Sequence, residues 1–516
     1  MKKIVLFIAC ASLLGNFSCS DELDLQPLDR VTTDAFYKTR ADFDGAIFAS
    51  YSSIQDFWGT STETLGERGE FWKISMTITD DVAADGNNGT SSIDIDNLIL
   101  RANDVPFAAV YTQIYEGIYR ANLVLERLDG ENDLTAEDKT ILGAEAKFLR
   151  AWFHFQAMKM FGTPPLALEI KTDINDQAIA NATQDELYTA ILADFADAAV
   201  GLPESWDSGN IGRVTAWAAK SYVGKVNVWK QDWPAAITAF ADVVNNGPYS
   251  LIVTSADPEA TAYDQVFAYN NENNSESIFE IQYGGPFSDD NLWVFDDTHS
   301  EDFKASQGIA RGNYWDAGGD APGGKNGQWA PTQNLVDAFE PGDERLQTIL
   351  YQDGDMYFTF DGNRYEVPYD NTWSTTSYTL KKYRGSINAV GGNSSPNGQV
   401  DFNNERWMRF AELKLLYAEA LIRGGGDTGI AFDQIDDIRD RAGLGPVDRS
   451  GDPLMAMMQE KRVELALEPH RWFDITRWGI GVDVFGSAWN DNYNVFPFPL
   501  SEVDRSRGLL KQNPGY

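Results

Sequence analysis

Apolar residues recur three and four positions apart through both ends of this chain, a spacing that predicts long amphipathic helices. One runs from a cap at Thr33 or Asp34 through Tyr51, and another, from Val105 to Leu128, carries Val110, Ile114, Ile118 and Leu125 on one face. Glu137 to Phe161 is a third, closed by Gly162 and the helix-stopping pair Pro164 and Pro165. Gln184 to Leu202, Thr215 to Trp229 and Pro234 to Asn246 follow, with Pro234 suited to a first helical turn. Towards the C-terminus, Glu405 to Ile422 and Thr428 to Ala442 form two more, separated by the glycines Gly424 to Gly426.

The helices 215–229 and 234–246 have the short connection and small-residue packing of a tetratricopeptide unit: Ala216, Ala218, Ala219 and Gly224 permit close approach. The pair 405–422 and 428–442 repeats that design. The expected fold is mainly α, a right-handed scaffold of about four tetratricopeptide-like helical pairs assembled from both ends of the sequence. Between the ends the pattern changes. Residues 248–404 are rich in Gly, Asn, Asp and aromatics, and only short stretches such as SIFEIQY (277–283) and MYFTF (356–360) alternate as strands. Binding groups usually sit on loops carried by a rigid scaffold, so a ligand site is expected in this partly β insertion and in residues 57–104.

The first residues follow a different rule. Lys2 and Lys3 precede an apolar run from Ile4 to Leu14, too short to cross a bilayer, which needs about 18 apolar residues. Cys19 ends this leader and is followed by Ser20, Asp21 and Glu22, the arrangement of a bacterial lipoprotein junction; Cys10 is a poorer acceptor because apolar residues continue after it. The expected organisation is therefore a signal peptide (1–18), a lipidated tether (19–30), an N-terminal helical region (31–247), the insertion (248–404) and a C-terminal helical region (405–516). Cys10 and Cys19 are the only cysteines, so the mature body holds no disulfide and no thiol metal site.

The formal net charge of −37 opposes nucleic acid and polyanions and favours a neutral ligand. Catalytic motifs are scarce. The three histidines, His154, His299 and His470, offer little for a metal or triad, and no nucleophile elbow, phosphate loop or zinc-protease string occurs. Structural calcium has two oxygen-rich candidates, 353–363 and 94–97, but neither has the twelve-residue loop with its terminal Glu, so no cofactor is expected.

Several stretches resemble one family when taken in order: AEAKFLRAWFHFQAMKMFGTPPL (144–166), GRVTAWAAKSYVGKVNVWKQDWPAAI (212–237), PTQNLVDAFEPGDERL (331–346), RFAELKLLYAEAL (409–421), KRVELALEPHRWFDITRWG (461–479) and FPFPLSEVDRSRGLLKQNPGY (496–516). Together with the leader they resemble the SusD/RagB family. The resemblance implies a non-catalytic, glycan-binding lipoprotein of the outer-membrane surface that forms a lid over a SusC-like TonB-dependent transporter. Capture of peptide by the same scaffold, or a lid with no ligand of its own, are the alternatives. Arg439, Arg441, Arg462, Arg471, Asp474 and Arg477 lie among apolar residues of these motifs, which assigns them to buried ion pairs rather than to a site.

A sugar stacks its C–H face on an aromatic ring and turns its hydroxyls to planar polar groups. Two stretches of the insertion have that composition. Trp293, Trp315, Tyr314 and Trp329 are the candidate platforms, and Asn291, Asp296, Arg311, Asn313 and Asp316 the polar neighbours. Family members often carry a Trp on the loop before the Val105 helix, whereas residues 80–100 here have no aromatic. Either Trp72 or Trp58 supplies that wall, or Asp81, Asp85, Asn87 and Asn88 bind instead.

Overall fold

In the computed structural model, which describes residues 36–58, 70–84, 90–171, 173, 178–258, 260–283, 329–360, 364–383 and 403–516, the first helix, α1 (Arg40–Gln55), is set by its own cap. The Thr39 hydroxyl accepts from the Asp42 N–H while the Asp42 carboxylate accepts from the Thr39 N–H, a reciprocal box that satisfies two end donors. This corrects the expected start: residues 37–39 turn, so the helix begins at Arg40, and Thr33 and Asp34 lie outside the described residues.

Next come α2 (Thr90–Asp96), α3 (Val105–Leu128), α4 (Ala136–Phe161), α5 (Gln184–Gly201), α6 (Ala216–Lys230) and α7 (Trp233–Asn246). The ends of α3 to α7 fall within a residue or two of the sequence reading because the punctuation is local, whereas α2 lies in a stretch read as an insertion without helices. Thr135 and Thr183 form capping boxes with Asp138 and Glu186, and Gly162 stops α4 with a φ of +73° that an L side chain resists. Gly224 explains the closeness of α6 and α7, since a Cβ there would strike the Phe240 ring.

The C-terminal region supplies α8 (Phe410–Arg423), α9 (Thr428–Arg441), α10 (Pro453–Glu464) and α11 (Arg471–Trp478). A helix over 405–422 was the expectation; the structure divides it. Residues Glu405–Arg409 are a strand, and the helix starts only at Phe410. All five strand residues are buried, and they pair antiparallel with Ser277–Ile281, so the ladder satisfies backbone groups that a longer helix would have left facing that strand. The helical pairs α1/α3, α4/α5, α6/α7 and α8/α9 pack in series, and α7 lies against α8, which joins the two ends of the sequence in one tetratricopeptide-like scaffold.

Among the described residues, eight short strands make four two-stranded antiparallel sheets: β1 (Val82–Ala84) with β3 (Trp329–Pro331), β2 (Ser277–Ile281) with β8 (Glu405–Arg409), β4 (Leu350–Tyr351) with β7 (Thr379–Leu380), and β5 (Met356–Phe360) with β6 (Arg364–Pro368). The two stretches read as strands, 277–283 and 356–360, are β2 and β5. Among the described residues no helix is long and apolar enough to cross a membrane. Cys10, Cys19 and the tether lie outside the described residues.

Candidate functional site

An aromatic spine runs from the scaffold to the insertion. Trp152 of α4 meets Trp407 of β8 edge to face at 4.8 Å, Trp407 meets Phe71 at 5.3 Å and Phe57 at 5.6 Å, and Phe71 meets Phe57 at 5.2 Å. Such edge contacts add to the large apolar area each ring buries. Beyond Phe71, Trp72 lies against Trp329.

Around this spine the described chain ends are tied together in pairs. The Phe71 N–H donates to the Phe57 carbonyl, the Asn403 amide donates to the Tyr383 carbonyl at 2.7 Å, and the Tyr283 N–H donates to Asn404 Oδ1 at 2.8 Å. The Tyr283 hydroxyl reaches the Gln55 carbonyl, and β1 sets Ala84 opposite Trp329. Each of the segments 59–69, 85–89, 284–328 and 384–402 therefore leaves the scaffold beside this aromatic neighbourhood.

Next to the Trp72–Trp329 contact is a small apolar recess lined by Trp72, Met76, Thr77, Val82, Trp329, Pro331, Leu380 and Leu467. Two of its walls use uncommon backbone. Lys73–Thr77 is a π-helical turn, a form that concentrates at functional positions, and Leu467 has a φ of +59°, a left-handed conformation costly for a branched side chain. Thr77 is fully buried, and its hydroxyl makes no hydrogen bond.

Buried charges hold these walls. Arg462 donates to Asp81 at 2.6 Å, and Arg471 donates through two nitrogens to Asp80 at 2.8 Å, fixing the turn before β1 to α10 and α11. Burial pushes the Asp80 carboxyl up, but the Arg471 and Arg462 charges outweigh it and hold it below its usual range. The Thr332 hydroxyl donates to the Asp80 carbonyl and so ties β3 to the same turn. Behind Leu380, Lys382 donates to Glu468, the Ala466 carbonyl and the Tyr263 hydroxyl; burial brings its ammonium down to about 8, against the opposing pull of Glu468. Arg409 bridges Glu468 and Glu464, and Glu464 also meets Arg441 and Arg345. Burial alone would raise Glu464, but the three guanidiniums of Arg441, Arg409 and Arg345 hold it well below the carboxylate range.

The six charged residues read as structural are indeed in ion pairs: Arg439 with Glu340 and Glu460, Arg441 with Glu276 and Glu464, Arg462 and Arg471 with Asp80 and Asp81, and Arg477 with Glu419 and Asp474. Trp293, Trp315, Tyr314, Asn291, Asp296, Arg311, Asn313 and Asp316 lie outside the described residues, as do Asp85, Asn87, Asn88 and His299. The structure does bring Trp72, Trp329 and Asp81 together, but not as an open platform. Both tryptophans are only 5% exposed, and Asp81 is 2% exposed and engaged by Arg462, so the two rings are packed against each other beside a recess and the carboxylate is an anchor. Trp58 is likewise buried in the spine. Thr77, Met76, Val82, Leu380 and Leu467 went unseen in the sequence, because nothing local distinguishes a recess-lining aliphatic from a core one.

His154 is buried in α4; its Nδ1–H donates to the Arg150 carbonyl and Nε2 accepts from the Ala167 N–H, and burial takes its imidazole down to about 4. Asp94 of the 94–97 stretch is paired with Arg101, and Asp96 accepts from the Ala84 N–H. Among the described residues no cluster of three metal-ligating side chains occurs.

Two family models match the sequence: the SusD family over residues 275–494, and a family described as starch-binding and associating with the outer membrane over residues 54–228. Between them they take in most of the scaffold helices and all the described walls of the recess. A SusD-like protein P2 of Formosa agariphila is 27% identical, with 100% of this chain and 99% of the relative aligned. A solved SusD-like protein of Bacteroides fragilis superimposes with a TM-score of 0.74 at 25% identity, over 95% of this chain and all of the other. A solved laminarin-binding SusD-like protein has the same fold, with a TM-score of 0.71 at 23% identity over 93% of this chain and 100% of its own.

Proposed function

The chain belongs to the SusD/RagB family, and on that premise we propose that it is a lipoprotein anchored through Cys19 to the outer-membrane surface, where it captures a neutral oligo- or polysaccharide and hands it to a SusC-like TonB-dependent transporter. One observation carries the reading. The segment 284–328, which holds the candidate platforms Trp293 and Trp315, is flanked by Tyr283 and Trp329 beside an aromatic spine and a recess. A β-glucan is one neutral candidate, in keeping with the laminarin-binding relative. Capture without cleavage fits the same geometry: Asp80, Asp81, Glu464 and Glu468 beside the recess walls are each engaged by guanidinium or ammonium groups, which removes them as a general acid or base.

The test is native electrophoresis of the polypeptide beginning at Ser20 through gels containing neutral or anionic polysaccharides. Retardation in a neutral glycan, lost on Trp293→Ala and Trp315→Ala with unchanged thermal unfolding, is the expected result. Retention unaffected by both substitutions moves the platform elsewhere, and retardation only in anionic gels overturns the charge argument.

A further inference from the structure

A second aromatic surface lies on the scaffold itself. Phe48 on α1 leaves 49% of its surface to solvent. The Arg213 guanidinium lies over its ring at 5.4 Å and over the ring of half-buried Trp206 at 4.4 Å, so one cation braces both aromatics. Arg213 is itself fixed: it donates through two nitrogens to Glu145 and pairs with Asp44 at 2.9 Å, while the Trp206 indole N–H donates to the Val214 carbonyl. With two carboxylates meeting its charge, the guanidinium presents no free charge to a ligand.

Planar amides rim this surface. Asn210 donates to Asp207 and accepts from Arg213. At Gly212 a Cβ would strike the Gln282 side chain, and Gln282 and Asn273 donate to each other at 2.9 and 2.8 Å. A side-chain amide carries two N–H groups, and Asn210 and Asn273 each commit one, so both keep a donor for a hydroxyl. The Gln282 carbonyl accepts from Gln55 of α1, and Gln282 adjoins Tyr283, from which the segment 284–328 leaves. Ile211, 55% exposed, is the other large apolar residue of the Asn210–Arg213 turn. One ring and one aliphatic side chain fall far short of the roughly 800 Å² per partner of a stable protein interface. They suit the C–H face of a sugar, with the amides placed for its hydroxyls.

On the premise that the ligand is a neutral glycan, we propose that Phe48 is a second carbohydrate platform, on which a sugar ring of the captured chain stacks while Asn210 and Asn273 donate to its hydroxyls. A long chain engages both this ring and the segment 284–328, and the second contact adds through effective concentration.

Native electrophoresis of the polypeptide beginning at Ser20, through gels containing laminarin, starch or galactomannan, tests the platform. In the gel that retards the unsubstituted protein, Phe48→Ala and Phe48→Leu should weaken retention by about three- to tenfold, and Phe48→Trp should keep it, all three retaining a cooperative thermal transition. Full retention by Phe48→Leu overturns stacking. Equal mobility of Phe48→Ala and the unsubstituted protein in every gel, including no retardation of either, overturns the platform. Retention lost with Trp293→Ala and Trp315→Ala but not with Phe48→Ala leaves glycan capture standing and removes the second platform. Retention lost with Phe48→Ala alone supports the platform and removes the assignment of Trp293 and Trp315.

Discussion

In the buried network, charged groups find one another: Arg409 reaches Glu464 and Glu468, Arg345 reaches Asp343, Glu460 and Glu464, and Arg441 reaches Glu276 and Glu464. In the recess whose walls that network holds, the Thr77 hydroxyl finds nothing. The two regions are neighbours in the same interior, yet the charged groups of one are met by opposite charges while the hydroxyl in the other has no partner. A satisfied charge cluster, however rich in arginine and glutamate, has little left to offer a ligand.

Breaking the network should give the largest effect. Glu464→Gln leaves three guanidiniums short of a charge, and loss of about 3–5 kcal/mol is expected in urea unfolding. Arg462→Met strands Asp81 but leaves Arg471 on Asp80, so about 2 kcal/mol should be lost, with a matching drop in the urea midpoint. Thr77→Val reverses the sign. It removes a hydroxyl that the folded protein leaves unpaired, and a gain of about 1 kcal/mol is expected in the absence of ligand. If Thr77→Val destabilises as Arg462→Met does, the contrast between the regions fails.

The smallest effect is a pH dependence. Burial pushes the Asp96 carboxyl, which accepts from the Ala84 N–H beside β1, up to about 6. A carboxyl raised on folding contributes stability that is fully present below its unfolded value near 3.8 and is lost as pH rises through about 6. Glu464 has the opposite sign: its contribution is present above its unfolded value of 4.5 and is lost as pH falls below it. The buried imidazoles of His154 and His470, pushed down by burial, act in the opposite direction over the same range, so the Asp96 contribution is read as a difference: the melting temperature of Asp96→Asn relative to the unsubstituted protein should be higher at pH 8 than at pH 5.5.

The sequence showed the helices clearly because their signals are local. Caps at Thr135 and Thr183, the stop at Gly162 and the close contact at Gly224 each act within a few residues. The strand at 405–409 was hidden, since its alternative as a helix is decided by β2, well over a hundred residues earlier. The ion pairs of Arg439, Arg441, Arg462, Arg471, Asp474 and Arg477 could be anticipated from charge amid apolar neighbours, but their partners could not. Asp80 and Asp81 lie far from Arg462 and Arg471 in sequence. For the same reason Trp72 and Trp329 were read as exposed platforms, when the fold turns one ring against the other and buries both.

The paired anchors around the aromatic spine separate loop length from scaffold integrity. With Tyr383 joined to Asn403 and Phe57 joined to Phe71, the chain ends are held at fixed points by the fold. Closing a flexible segment between fixed points costs only about 0.6 kcal/mol more for each doubling of its length. A scaffold built this way tolerates exchange of whole segments between those anchors, so a new ligand preference can be acquired by replacing a loop while the helices and the charge network beneath it stay unchanged.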